Sequence, residues 1–452
     1  MARVKDMTCG KPAPLLVAFA LPLMLGNVFQ QLYTVIDTAI VGKALGVIAL
    51  GALGAVDWLA WMIVGMVQGF TQGFSIRMAS TFGAKRYDEL RRSVAISIIL
   101  SALVAVFLLI LAQLLALPVL KLLKTPAEVI SGSLLYLRYI FAGIPIITAF
   151  NLLAAILRAL GDGKTPLFAM IVAAITNILL DLLFVLVFRW GIAGAAIATL
   201  IAQFISCVYC FVHIKKLDIL KLSREDFREL GPLVPKMLFL GTPMCLQNAI
   251  IAVGGMIIQT EVNRFGLVFL AGFTASNKLF GILEIAGTSY GFALVSYVGQ
   301  NLGAKKHDRI RKGVNQGVLI AILTSMVIGG IMLLLGPWFI SCFISGTPQQ
   351  VAESSVIAYQ YLSIMSIALP SLYILHAYRS SLQGLGDTVV PMLSGILELV
   401  MRTSLVFTLP HFIGPKGIFF AEVSAWIGAA VMLAIAYYIR MRTIVKRTYL
   451  DV

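Results

Sequence analysis

The sequence predicts an all-α integral membrane protein with twelve transmembrane helices in two pseudo-symmetric six-helix lobes, and three observations carry that prediction. Sixty per cent of the 452 residues are hydrophobic and only 12% are charged, and the mean hydropathy of +0.96 lies far outside the range of soluble domains. Apolar runs of roughly 20 to 30 residues recur between short polar connections, long enough for helices to cross the hydrocarbon core of a bilayer. The third observation is an internal repeat. Pro22 and Asn27 recur as Pro243 and Asn248, and Gly51 as Gly272. Gly83-Ala84-Lys85-Arg86-Tyr87-Asp88 returns as Gly303-Ala304-Lys305-Lys306-His307-Asp308, and Gly161-Asp162 with Pro166 returns as Gly386-Asp387 with Pro391. Ordered matches at a nearly constant offset mark a duplication. Six helices per copy give both halves the same orientation in the membrane, the parallel type of transporter repeat.

Taken in order, the apolar runs place helices near 15–40, 45–76, 93–117, 130–157, 166–188 and 192–213 in the first half. The second half holds helices near 237–262, 268–300, 314–344, 352–380, 389–410 and 416–440. The domains follow as an amino-terminal lobe over 1–213, an inter-lobe linker over 214–236, a carboxy-terminal lobe over 237–440 and a tail over 441–452. Arg3, Lys5 and Lys11 ahead of the first run imitate a secretory signal. No small-residue cleavage site follows, and the run has its own internal copy, so it reads as retained. The linker, Lys215 to Lys236, alternates charges with apolar residues, which predicts a short helix lying on the membrane surface.

The net charge of +15 is explained by topology better than by a nucleic-acid partner. About 26 of the 35 Lys and Arg fall in the tails and in alternate loops, and such an excess marks the cytoplasmic side. Both termini are therefore expected inside, in a multi-pass protein of the plasma (inner) membrane. The five cysteines lie mostly in apolar runs, and Cys207-x-x-Cys210 lacks a second pair, so they read as small core residues. The four histidines have no ligand spacing, no Asp-rich metal motif accompanies Asp181, and no phosphate-binding P-loop is present. The chain reads as a non-enzyme without a cofactor, driven by something other than direct use of ATP.

The polar residues inside the apolar runs carry the functional reading. Asn177 and Asp181, four residues apart, share a helix face. Arg189-Trp190-Gly191 turns the chain back, so Thr199 lies at the depth of Asp181. Asp37 near the outer end of the first helix shares that depth, and Asn151 mirrors Asn177 across the inner loop. Asp37, Asn151, Asn177, Asp181 and Thr199 are thus expected to converge in one lobe. Buried acids in hydrocarbon are costly and usually functional. Carboxylate, amide and hydroxyl oxygens suit a bare Na+, and paired carboxylates suit carriage of H+. In the second half Asp37 maps to Ile258, Asn177 to Arg402 and Asp181 to Val406, so the ion is handled on one side.

Three further charges are candidates for a substrate cleft or gate. Asp57 and Lys278 are repeat equivalents of opposite charge, expected as an ion pair between the lobes. Glu284, with no basic residue one turn away, reads as an unpaired carboxylate selecting cationic cargo. Glu398 and Arg402, four residues apart, read as a self-neutralising pair with Glu422 at similar depth. Pro22 removes a backbone hydrogen bond inside the first helix and permits a bend there that would move Asp37.

Together, Asp37 fifteen residues after Pro22, Asn177-x-x-x-Asp181, Thr199 and the Gly161-Asp162 helix start resemble the multidrug and toxic compound extrusion (MATE) transporters over essentially the whole chain. Within that family the acidic first-lobe site, with Asn151, resembles the DinF-like branch. The NorM-like branch keeps acids in helices 7 and 10, where this chain is apolar near Ile251 and offers His376. The resemblance implies a secondary antiporter that exports amphipathic, often cationic compounds in exchange for Na+ or H+ by a rocking form of alternating access. Its expected partners are small molecules and the bilayer, with no nucleic acid, and a monomer is expected. The rival reading is a flippase for lipid-linked saccharides in the same superfamily, for which Lys278 and Arg402 are few cationic groups.

Overall fold

The computed structural model describes residues 4–54, 56–123, 125, 127–228, 230–344 and 347–450. Arg3, Lys124 and the last two residues of the expected tail lie outside the described residues. The chain is helical nearly throughout. In the first half, α1 spans Pro12–Leu45, α2 Val47–Gly54, α3 Asp57–Gly83 and α4 Tyr87–Leu122. They are followed by α5 Ala127–Ala142, α6 Ile144–Ala159, α7 Lys164–Asp181 with a π-helical turn over Leu182–Val187, and α8 Gly191–Lys215. The second half holds α9 Val234–Val262, α10 Leu267–Gly303, α11 His307–Ser341, α12 Pro348–Gly384, α13 Val389–Ile413 and α14 Gly417–Leu450.

Among the described residues, ten stretches are long and apolar enough to cross a membrane, or eleven when the bent pair α5 and α6 counts as one span. One of these stretches, Val389–Ile444, contains both α13 and α14, which turn at Gly414, so the expected twelve spans are present. Their outer faces are fit for lipid. On α4, Leu103, Phe107, Ile110 and Leu114 are exposed at helical spacing, while Ala105, Leu108, Ala112 and Ala116 are buried on the other face. Large apolar side chains point outward and, Leu108 apart, small ones inward, the reverse of the pattern that water imposes.

Two expected helices are broken. The run over 45–76 divides between α2 and α3, which leaves Asp57 exposed in the first turn of α3, where the positive helix end favours an acid. The run over 130–157 bends by 48° at Gly143. Pro145 in the first turn of α6 has no N–H to offer the preceding helix. A Cβ on Gly143 would stand 2.0 Å from a Leu200 methyl on α8, so any other residue there would force the Leu200 side chain to move.

The chain divides into two compact units, one holding residues up to Asp6 and Leu21–Ala249, the other holding Met7–Ala20 and Ile250 onward. The first unit therefore includes the first half of α9. Gly65, Gly69 and Gly73 on α3 face it: a Cβ on Gly69 would meet the Met244 carbonyl at 2.4 Å, and one on Gly73 would meet the Gly241 Cα at 2.5 Å. Asn248 closes this seam by donating to the Gly65 carbonyl at 2.6 Å. Small residues at intervals of four are what let membrane helices pack backbone to backbone.

The linker is not a surface helix. It forms three single 3-10 turns, Asp218–Leu220, Arg224–Phe227 and Gly231–Leu233, and Leu217, Leu220 and Leu230 are buried in the core of the first unit. Asp226 caps the middle turn, accepting from the Ser223 N–H at 2.7 Å and lying 3.5 Å from Arg91 on α4.

In the second unit, backbone carbonyls of Met7, Thr8 and Cys9 are held by Asn301, Arg309 and Lys306, and the Met7 N–H donates to Gln300 at 2.8 Å. The repeat is also visible in the backbone. Lys85 and Lys305, equivalent residues, both take positive φ, 58° and 56°, and the equivalent Gly161 and Gly386 take 80° and 82°. Identical turns at matched positions are a conformational signature of the duplication.

Candidate functional site

Three helices of the first unit each present a polar pair at i and i+4. They are Tyr33 and Asp37 on α1, Asn177 and Asp181 on α7, and Thr199 and Gln203 on α8. Such pairs share a helix face. Asp162 starts α7 by accepting from the Lys164 and Thr165 N–H groups, both at 3.0 Å. The α7–α8 hairpin is tightened by Phe184 stacked on Trp190, ring centres 4.7 Å apart.

The Asn177 amide donates to the Thr199 hydroxyl at 3.4 Å, and that hydroxyl donates in turn to the Ala195 carbonyl at 3.1 Å. Asp37 and Asp181 approach within hydrogen-bond reach of each other. Asp37, Asn177 and Asp181 are all buried. Five of the oxygens in these pairs are buried without any donor: Asp37 Oδ1, Asn177 Oδ1, both oxygens of Asp181 and Gln203 Oε1. Buried acceptors without donors are expensive. Adjacent carboxylates also repel unless a proton or a cation sits between them. Carboxylate, amide and hydroxyl oxygens grouped in this way have the chemistry to accept a proton or a small hard cation.

Four of the five residues that the sequence assigns to this site, Asp37, Asn177, Asp181 and Thr199, are tied together in this way. Asn151 on α6 instead donates to the Ile147 carbonyl one turn earlier, at 2.9 Å, and no hydrogen bond among the described residues ties it to the other four. Three neighbours went unread. Tyr33 lies beside Gln203, and Tyr136 on α5 lies in the field of both aspartates. The first two were open to the same i, i+4 argument that found Asn177 with Asp181. Pro22 lies inside α1, which runs unbroken from Pro12 to Leu45.

The second unit carries a different constellation. Arg379 on α12 pairs with Glu398 on α13 and donates to Ser394 at 3.1 Å. Arg402 lies between Glu398 at 3.5 Å and Glu422 of α14 at 3.7 Å, and the Tyr361 hydroxyl donates to Glu422 at 2.9 Å. Arg402 stands where the repeat places Asn177, so the second unit holds its own cation at the position matched to the first unit's amide. Glu284 is not the unpaired carboxylate expected. His376, one face across on α12, approaches it at 3.4 Å. The pairing is between helices, which explains why inspection of one turn missed it. Lys278 is exposed on α10 in this unit, and Asp57 belongs to the first.

The fold and this buried acceptor cluster define a multi-span helical membrane protein with a polar site inside its first half. A family model described as MatE matches residues 22–183 and 243–408, and the chain belongs to that family. The two matched stretches begin at Pro22 and Pro243, 221 residues apart, which is the spacing of the internal repeat. The chain is similar to a probable multidrug resistance protein, YpnP, of Bacillus subtilis, 29% identical over 416 residues that cover 91% of this chain and 92% of that one. It is also similar to the probable multidrug resistance protein NorM of Thermotoga maritima, 24% identical over 91% of this chain and 88% of that one. In fold it matches a MOP superfamily transporter from Pyrococcus furiosus, with a TM-score of 0.91, 21% identity, and coverage of 97% and 98%.

Proposed function

We propose that the protein is a secondary active antiporter of the DinF-like kind, exporting amphipathic and often cationic compounds in exchange for Na+ or H+ by alternating access. The observation that carries this reading is the cluster of buried oxygens without donors around Asp37 and Asp181. Those oxygens gain partners when a proton or Na+ binds and lose them when it leaves, which gives the site two states that differ in free energy. Coupling needs such a difference. The relatives named as multidrug resistance proteins supply the class of cargo. In this reading the protein works as a monomer in the inner membrane with both termini cytoplasmic, an orientation supported by the Lys and Arg of alternate loops. Pro22 lets α1 bend as Asp37 changes its occupant.

Uptake of a fluorescent organic cation into inside-out vesicles tests the reading, energised separately by Na+ and by pH gradients. The expected result is gradient-driven uptake in the wild type, lost in Asp37→Asn and Asp181→Asn, with the effective gradient naming the ion. Uptake unchanged in both variants overturns the assignment of the site.

A further inference from the structure

We propose that the first unit holds an anionic phospholipid at the end of the α3–α9 glycine seam, with the phosphate between Arg77 and Lys236. Gly65, Gly69 and Gly73 let α3 lie against α9 with backbone contact. The next position at that spacing is Arg77, whose side chain cannot enter such a seam. Beyond Gly73 a groove of about 460 Å³ opens between the two helices, lined by Arg77, Pro235, Lys236, Phe239 and Leu240.

The lining has the two-part chemistry of a lipid. Phe239 is 59% exposed, and with Pro235 and Leu240 it makes an apolar wall on the bilayer side. Arg77 and Lys236 form a cationic mouth. Arg77 lies 3.5 Å from Glu89, but Glu89 is also engaged by Arg86 at 2.8 Å, and Arg77 Nε is buried without an acceptor. Among Arg77, Arg86, Lys236 and the one Glu89 that the two arginines share, positive charge is in excess. A guanidinium and an ammonium on either side of a phosphate make charge-assisted hydrogen bonds that a zwitterionic headgroup weakens with its own ammonium. The groove joins the last two turns of α3 to the first two turns of α9, beside the basic linker, at the level where an apolar span begins. Basic residues at that level attract anionic lipids. The lipid would fill the place where the seam ends and hold α9 against α3. This proposal requires only a membrane and is independent of the antiport reading.

Native mass spectrometry of the full chain, purified in neutral detergent and titrated with dioleoyl phosphatidylglycerol or dioleoyl phosphatidylcholine, reads the site directly. One phosphatidylglycerol should be retained per chain at low lipid concentration. About thirtyfold more should be needed in the Arg77→Gln/Lys236→Gln double variant, given what each of the two surface bases contributes. Millimolar inorganic phosphate should not displace it, because the apolar wall supplies part of the affinity. Equal retention of the two lipids, equal retention by variant and wild type, or displacement by phosphate overturns the proposal. Should the double variant fold poorly, Phe239→Trp keeps the test open. Brominated phosphatidylglycerol is expected to quench that tryptophan at lower concentration than brominated phosphatidylcholine, and equal quenching counts against the site.

Discussion

The Asn177 amide reaches the Thr199 hydroxyl across 3.4 Å, joining α7 to α8 at the depth of Asp181. That bond fixes the amide so that its carbonyl oxygen, buried and without a donor, points the other way. Thr199→Val removes the acceptor and leaves a buried amide donor unpaired, which costs about 1–3 kcal/mol. We expect a lower unfolding temperature in detergent for Thr199→Val and near wild-type behaviour for Thr199→Ser, which keeps the hydroxyl. If valine and serine behave alike, the hydroxyl has no such role.

Arg402 stands between Glu398 and Glu422, at the repeat position of Asn177. Arg402→Ala leaves Glu398 to Arg379 alone and Glu422 to the Tyr361 hydroxyl alone, and breaking a buried pair costs about 3–5 kcal/mol. The penalty should shrink in the Arg402→Met/Glu398→Gln/Glu422→Gln variant, which removes the charges together. A further consequence follows from the repeat. Arg402→Ala should acquire a stability that rises with added Na+, which replaces the missing cation, whereas wild type should show no such gain from this unit. Thermal unfolding across a salt series decides it.

The sequence made the helices and the duplication legible because hydrophobic length and repeated turns are local properties. Asn177, Asp181 and Thr199 were legible for the same reason: one helix turn and one hairpin relate them. The His376–Glu284 and Arg379–Glu398 pairs were not, because each joins helices whose relative rotation no local spacing records. The linker misled because alternating charge resembles an amphipathic helix. There, Leu217, Leu220 and Leu230 are drawn one after another into the core, and Asp226 turns back to cap Ser223, so the chain folds into single turns. The break before Asp57 follows a glycine-rich stretch, Gly51 to Gly54 at the end of α2, that hydropathy alone reads as continuous.

The linker itself is pH-sensitive through Asp226. Burial alone would raise its pKa, but the Ser223 N–H and hydroxyl and the Arg91 guanidinium hold the carboxyl below its ordinary value. A depressed folded pKa contributes stability above the unfolded value of about 4 and loses it as pH falls through the folded value. Asp226→Asn should therefore be less stable than wild type at pH 7 and pH 5 by a similar margin, about 1 kcal/mol for a lost cap. The margin should narrow below about pH 4. A margin that grows on acidification would reverse the sign and exclude this role.

The glycine seam makes the last prediction. A methyl group on Gly73 would fall 2.5 Å from the Gly241 Cα and 2.6 Å from the Leu240 carbonyl, both backbone atoms that no side-chain rotation can move aside. Gly73→Ala must therefore push α9 away from α3, at a cost of about 1–3 kcal/mol for overpacking. Gly54, at the end of α2, has nothing within 4 Å of the same added atom and keeps an ordinary φ. Gly54→Ala is the matched control, expected within about 0.5 kcal/mol of wild type. Unfolding temperatures of the two variants in one detergent give the comparison. Equal stability would mean that α3 and α9 separate without cost, and the seam would then not be what holds the first half of α9 to the first unit.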